Sequence, residues 1–382
     1  MLFRRASRAV GGFVLREREV LFAFVASRLL VWALAWLAER WILHGENWVK
    51  TGPQLWQLLD RWDAAWYRGI VEQGYSYVPG AESNVAFFPL LPICVWLVKH
   101  AIGMKTALAG FIVSNLALFA AAVVLRRLVA RDYPEPSRAP GRAVWLLLLC
   151  PMTFFHSAMY TESLYLLLSL VAILAARDGR WLAAGISGAL ITATRGNALL
   201  ILVPLLWEAL VEHRRGRAHD AATNSVARSR WWLLLVPLGL VGYATYLHFR
   251  FGDALAFAHA MAAWGRTIAW PWDGIAGALG PPYPYGRLLL GSAVVGLLLV
   301  GLGFLVRLRT SYQLYAAALL ALYLSTSILH SLPRYLSVIF PFYIAVAVAS
   351  IRSEAIFLFA LVASAGFMAF CLALYVGGYL MM

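Results

Sequence analysis

The chain is dominated by apolar runs about as long as a bilayer is thick, separated by short polar breaks. A hydrocarbon core about 30 Å deep takes about 20 apolar residues of helix. Such a run occupies residues 20 to 38, and others follow to near residue 377 with little soluble sequence between them. In hydrocarbon every backbone N–H and C=O must be paired within the segment, so runs of this length imply helices. Of the 382 residues 62% are hydrophobic, against about 45–50% in soluble domains. The expected fold is therefore an all-α polytopic membrane protein, a single integral domain over residues 1–382 with about 10 to 12 transmembrane or re-entrant helical segments.

The net charge of +14 does not point to nucleic acid, because the arginines stand in short clusters between apolar runs. That is the distribution the positive-inside rule gives, and anionic lipid head groups are the natural electrostatic partner. The clusters at 126–142, 177–180, 212–230 and 307–309 mark the expected cytoplasmic side. The long breaks at 39–85 and 250–286, with "YTES" (160–163), "TRGN" (194–197) and "HSLPR" (330–334), then fall outside or within the membrane. Arg4, Arg5, Arg8, Arg16 and Arg18 precede the first run, and "ERW" after it is no small-residue cleavage site. An uncleaved first helix with a cytoplasmic N-terminus is expected, in a bacterial plasma membrane.

This assignment predicts crossings near 20–38, 143–159, 164–176, 231–249, 288–306, 311–329, 335–350 and 355–377. Parity requires that one of the two runs within 86–125 not cross fully, and 181–210 has room only for a hairpin around "TRGN". Cys94, Cys150 and Cys371 all sit in apolar stretches and read as small core residues.

The polar chemistry concentrates in the first external loop, "DRWDAAWYRGIVEQGY" (60–75). Trp62, Trp66, Ile70 and Val71 recur at helical spacing, which predicts an interfacial helix with tryptophan anchors. Asp60 and Asp63, three residues apart, would share one side of a helical turn. Asp63 is the first candidate for a general base and Asp60 the second; pairing with Arg61 or Arg68 on a solvated helix satisfies the same spacing. Ionisable groups flanked by apolar residues are the next signal, because hydrocarbon makes them costly. These are Glu162, Arg195 and Arg334, all assigned to the same leaflet; mutual pairing of Glu162 with Arg195 explains two of them equally well. His156, His259 and His330 are hydrogen-bonding candidates, and no spacing specifies zinc.

No Walker A run, nucleophile elbow, HExxH or DxD pair is present. A lipid-linked donor fits better than a soluble nucleotide sugar: its tail partitions into the bilayer, its phosphate needs Arg or Lys, and one base on the acceptor hydroxyl suffices. No motif calls for a cofactor, and a divalent cation is left open. A transporter or flippase for a lipid-linked sugar is the alternative, with Glu162 and Arg195 as the charges along its route. A non-catalytic scaffold would be indifferent to Asp63 and Arg334.

In order, "RWDAAWYRGIVEQGY", "NVAFFPLLP", "HSAMYTESLY", "TATRGNALL", "FGDALAFAHAMAAWGR" and "SLPRYLSVIFP" resemble the PIG-V family of membrane mannosyltransferases, over about residues 60 to 342. The resemblance implies a GT-C glycosyltransferase that moves a sugar, commonly mannose, from a polyprenyl-phosphate donor to a lipid or glycolipid acceptor, with inversion and on the non-cytoplasmic face. It implies that Asp63 is the loop acid, that Glu162 stands at an "SES"-like position, that Arg195 and Asn197 belong to an "RSNG"-like element, and that Arg334 belongs to a "PR" pair. Tyr160, His259 and Arg266, within the matching stretches, and His330, just before the last of them, complete the expected donor and substrate contacts. "RGNA" stands where "RSNG" is usual and "EQGY" where "EHGY" is, so acceptor and sugar stay open.

Overall fold

A computed structural model describes residues 17–42, 44–45, 47–216, 230–280 and 285–379. The arginines at 4, 5, 8 and 16 and most of the basic loop at 212–230 lie outside the described residues. The helices are α1 (Arg18–Trp41), α2 (Asp63–Gln73), α3 (Leu90–Ile102), α4 (Thr106–Asp132), α5 (Ala139–Leu148), α6 (Glu162–Arg177), α7 (Trp181–Thr192) and α8 (Leu202–Gly216). They continue with α9 (Leu238–Phe251), α10 (Ala256–Ala263), α11 (Pro271–Leu279), α12 (Gly286–Leu305), α13 (Thr310–Leu324), α14 (Leu332–Leu336), α15 (Pro341–Ala349) and α16 (Glu354–Val376).

Among the described residues six stretches are long and apolar enough to cross a membrane: α1, α4, Gly196–Arg214, Arg230–Phe251, α12 and α16. In the 86–125 region α3 has only 13 residues, about 20 Å of helix, while α4 has 27. The turn between them is made at Gly103, whose φ of 74° suits a residue without Cβ. α7 and α9 approach closely through glycine: a Cβ on Gly239 would stand 2.0 Å from the Ala189 carbonyl oxygen.

Three expected crossings are corrected. The span at 143–159 stops as a helix at Leu148, and 149–161 is a chain of turns, buried apart from Pro151. Proline at 151 cannot donate to residue 147 and disfavours helix at Cys150, so the helix ends there. Arg28, a charge within α1, makes this break tolerable. Its guanidinium donates to the carbonyls of Leu148 at 2.7 Å and Thr153 at 3.2 Å, and to the hydroxyls of Thr153 and Ser157. The span at 335–350 is likewise split into α14 and α15, with Pro341 at the start of the second helix. That at 311–329 ends at Leu324, beyond which Ala269 N–H donates to the Ser325 carbonyl.

The two ends of the bundle differ. At one end Glu17 meets Arg127 at 2.9 Å, Arg177 meets Asp132, Arg131 meets Asp178, and Arg309 meets Glu208 at 2.6 Å. These pairs bring together the basic clusters at 126–142, 177–180 and 307–309. α6 runs 16 residues from Glu162 to this end, so Glu162 lies about 22–24 Å away. At Glu162's end Arg61 pairs with Glu39 beyond the far end of α1's apolar run, at 3.0 Å.

Candidate active site

Asp63 opens α2, and the backbone just before it is unusual. Trp62 has φ 55° and ψ −122°, the conformation of the first central residue of a type II′ turn, where glycine is normally found. The turn is closed by Ala64 N–H donating to the Arg61 carbonyl at 3.2 Å. Asp60 and Asp63 therefore do not share a helical turn as their spacing suggested, because the positive φ starts the helix only at Asp63. Asp60 faces Arg68 instead. Burial holds the Asp60 carboxyl above its ordinary range, against the lowering pull of Arg68.

The Asp63 side chain accepts from Arg334 Nη1 at 2.6 Å and is 17% exposed. Arg334 also places Nε 3.4 Å from Glu162 Oε1. Glu162 is fully buried at the first residue of α6 and accepts from Arg195 Nη2 on the same oxygen. Arg195 donates through Nε to Thr161 Oγ1 at 2.7 Å. Two carboxylates and two guanidiniums thus form one line, Asp63–Arg334–Glu162–Arg195, contributed by four separate segments. Aromatic faces sheath it: Arg334 lies over Phe155, Tyr160 and Tyr335, and Arg195 over Tyr165 and Tyr335. The pairing of Glu162 with Arg195, one of two readings open to the sequence, exists, and it is part of the line that reaches Asp63. The backbone around Arg334 is fixed by Ser337, whose hydroxyl donates to the Arg334 carbonyl at 2.6 Å and lies 3.0 Å from His156 Nε2.

The remaining candidates divide. Arg266 sits over the Tyr335 ring at 5.2 Å and donates to the His330 carbonyl at 2.6 Å. It is half-buried and, among the described residues, has no carboxylate partner. Burial, reinforced by the charge of Arg266, keeps His330 below its ordinary range. Asn197 lies in the 3₁₀ turn after Arg195, its Oδ1 buried with no hydrogen-bond partner among the described residues. His259 joins a different group, 2.7 Å from Asp253 Oδ2, which also accepts from Tyr77 OH at 3.0 Å. Tyr160 is buried beneath the turn, with its hydroxyl engaged by the Arg61 and Asp63 backbone. Trp66 is partly buried and packs on Phe87 and Trp264. Among the described residues no group of three or more His, Cys, Asp or Glu is placed to hold a metal.

Sequence reading missed Thr161, Tyr335 and Tyr375. Thr161 adjoins Glu162 in "YTES", and Tyr335 adjoins Arg334 in "PRY", so their neighbours were the signal. Tyr375 lies in the last turn of an ordinary apolar helix and gave none.

With this line in view, residues 47–216 match the family described as Mannosyltransferase (PIG-V). The matched stretch carries Asp63, Glu162, Arg195 and Asn197, while Arg334 and Arg266 reach the site from beyond it. The chain is 32% identical over 155 residues to GPI alpha-1,6-mannosyltransferase 2 of Cricetulus griseus, covering 37% of this chain and 30% of that protein. It is 26% identical over 194 residues to GPI mannosyltransferase 2 of Yarrowia lipolytica, covering 50% of this chain and 51% of the other. The chain therefore spans about a third to a half of the length of these relatives. In fold it is similar to ArnT from Cupriavidus metallidurans, with a TM-score of 0.51 at 16% identity, covering 86% of this chain and 59% of that one. The architecture is that of the GT-C membrane proteins.

Proposed function

We propose that the protein is a membrane mannosyltransferase that uses a polyprenyl-phosphate sugar, with Asp63 as the base. The observation that carries this reading is the partly exposed Asp63 carboxylate, held through one oxygen by Arg334 at the head of a buried ion line, three of whose four residues lie in the stretch that matches PIG-V. Asp63 Oδ2 is taken by Arg334, and Oδ1 is left for an acceptor hydroxyl. The acceptor oxygen attacks the anomeric carbon as its proton passes to Asp63, and the carbon–oxygen bond to the phosphate breaks with its electron pair leaving on the phosphate. Attack opposite the leaving group inverts the anomeric centre.

Arg195 and Arg334, expected at the phosphate, are both engaged by Glu162, and the formal charges of the four-residue line cancel. Arg266 adds a positive charge beside Tyr335 that, among the described residues, has no carboxylate partner, which suits a phosphate leaving group. The solved ArnT structure is described as bound to undecaprenyl phosphate, a polyprenyl phosphate of the kind that would remain after sugar transfer in this proposal. The site lies opposite the end where the basic clusters gather, which by the positive-inside rule supports a non-cytoplasmic active site.

The test is to reconstitute the purified protein with polyprenyl-phosphate mannose and a membrane lipid extract, and to look by mass analysis for a new mannosylated product. Transfer by wild type and its loss, about 100-fold or more, in Asp63→Asn is expected. Near-wild-type turnover in Asp63→Asn would remove this residue from the mechanism. Donor crossing the bilayer with no new glycosidic bond would identify a transporter.

A further inference from the structure

The Trp62 conformation has to be maintained by something, since a tryptophan at positive φ persists only where its surroundings over-determine it. Two phenol groups from distant parts of the chain meet at this turn. Tyr375 OH, from the last turn of α16, donates to the Leu59 carbonyl at 3.0 Å and the Arg61 carbonyl at 3.2 Å. Tyr160 OH donates to the Arg61 carbonyl at 3.0 Å and accepts from Asp63 N–H at 3.1 Å, so it spans the turn from within. Both rings are buried, Tyr160 to 2% exposure and Tyr375 to 0%. The Arg61 guanidinium secures the other side, donating to the Leu58 and Val49 carbonyls and to Glu39.

We propose that Tyr160 and Tyr375 are positioning residues: their hydroxyls clamp the strained Arg61–Ala64 turn and thereby aim the Asp63 carboxylate. Neither hydroxyl is open to a substrate. Each acts on the backbone that sets the direction of Asp63, and Tyr375 does so from a helix more than 300 positions away in sequence. The catalytic half of this inference rests on the reading of Asp63 as the base; the mechanical half does not.

Two measurements separate these halves. In the transfer assay Tyr375→Phe and Tyr160→Phe, which remove only the hydroxyl, should lower kcat about 10- to 100-fold while KM for donor and acceptor stays within about twofold, because a misaimed base slows chemistry without weakening binding. Adding Trp62→Gly to Tyr375→Phe should restore part of kcat, since glycine takes positive φ without a clamp, and adding Trp62→Ala should not. In heat denaturation of the purified protein Trp62→Gly should melt about 2–4 °C above Trp62→Ala, and this gap should close once Tyr375→Phe lets the alanine turn relax. If no sugar donor supports transfer, the melting comparison alone decides the clamp. Unchanged kcat in both phenylalanine variants would overturn the aiming role. Equal melting of the glycine and alanine variants with both tyrosines present would overturn the strained turn itself.

Discussion

Glu162 is the point at which the site should be most sensitive to the loss of one charge. It is 0% exposed, and its Oε1 serves Arg195 and Arg334 together. Glu162→Gln keeps the volume and removes the charge, so both guanidiniums lose their shared counter-ion. Breaking a buried pair by removing one partner costs about 3–5 kcal/mol. The two arginines do not lose equally. Arg334 keeps Asp63 at 2.6 Å, whereas Arg195 keeps only Thr161 and the ring faces of Tyr165 and Tyr335. Most of the cost therefore falls on Arg195, and the lower end, about 3 kcal/mol, is expected. At the roughly 2–4 °C per kcal/mol of a 150–250-residue domain, this is a fall of about 6–12 °C in Tm. The assay is a double-mutant cycle on the detergent-purified protein, with Glu162→Gln and Arg195→Met singly and together. The double variant should melt clearly above the sum of the single losses, with a coupling of about 1–3 kcal/mol. The same cycle with Arg334→Met should give a smaller coupling, because that pair is longer and Arg334 has a second carboxylate. Equal couplings, or a Glu162→Gln protein as stable as wild type, would refute the ion line as a single unit.

Other outcomes follow from the same geometry. Arg266→Ala should raise KM for the donor roughly tenfold or more with little change in Tm, and Arg266→Lys should recover part of it, as donor-titration kinetics would show. Arg28→Met removes the donor that satisfies two carbonyls of the broken 149–161 segment, and should cost about 3 kcal/mol or more, read as lost folded yield and lower Tm. For Asp60 burial raises the folded pKa, so its contribution to stability is complete below its ordinary value of 3.8 and is lost as pH climbs through the raised folded value. Asp60→Asn, always neutral, should therefore gain stability relative to wild type between about pH 4 and pH 7 in melts across that range.

The sequence exposed the costs more readily than their remedies. Glu162, Arg195 and Arg334 stood out because charge in apolar surroundings is expensive, Asp63 because polar chemistry concentrates in the first external loop, and the structure brings these four together. Hydropathy also marked the long spans α1, Arg230–Phe251, α12 and α16, and left open which of the two runs within 86–125 crosses. It overran the breaks: Pro151 and Pro341 lie inside runs greasy enough to pass as continuous helices, and hydropathy has no term for the missing N–H. The helical spacing of Trp62, Trp66 and Ile70 ran through a turn that begins the helix at Asp63, because a positive φ at tryptophan leaves no trace in periodicity. Tyr160 stood in "YTES" as an expected substrate contact and Tyr375 read as an ordinary apolar-helix residue; the bonds of both to this turn were illegible, since single hydroxyls make them to carbonyls distant in the chain. His259 lay in a loop matching the family but is held by Asp253 and Tyr77, a partnership set by how that loop folds back on residues 75–88.

The two ends of the bundle follow opposite rules for one reason. At the basic end the arginines pair with carboxylates on neighbouring helices, and the positive φ of Arg307 there serves the turn between α12 and α13 and breaks no spanning helix. At the other end regular backbone is given up around Asp63, Glu162 and Arg334. Trp62 and Ser331 both take positive φ just before α2 and α14 begin, and the turns of 149–161 lead directly into Glu162. Backbone groups freed at membrane depth must be satisfied by side chains, and Arg28, Tyr160, Tyr375 and Ser337 supply that need. A charged group on an unbroken spanning helix would be fixed to that helix's face. Set at the start of a short helix behind a braced turn, it points where the turn directs it, and Asp63 and Arg334, each so placed, meet across 271 positions of sequence. The irregular backbone is thus the means by which two distant charges converge, so variants that regularise it should damage activity before they damage folding.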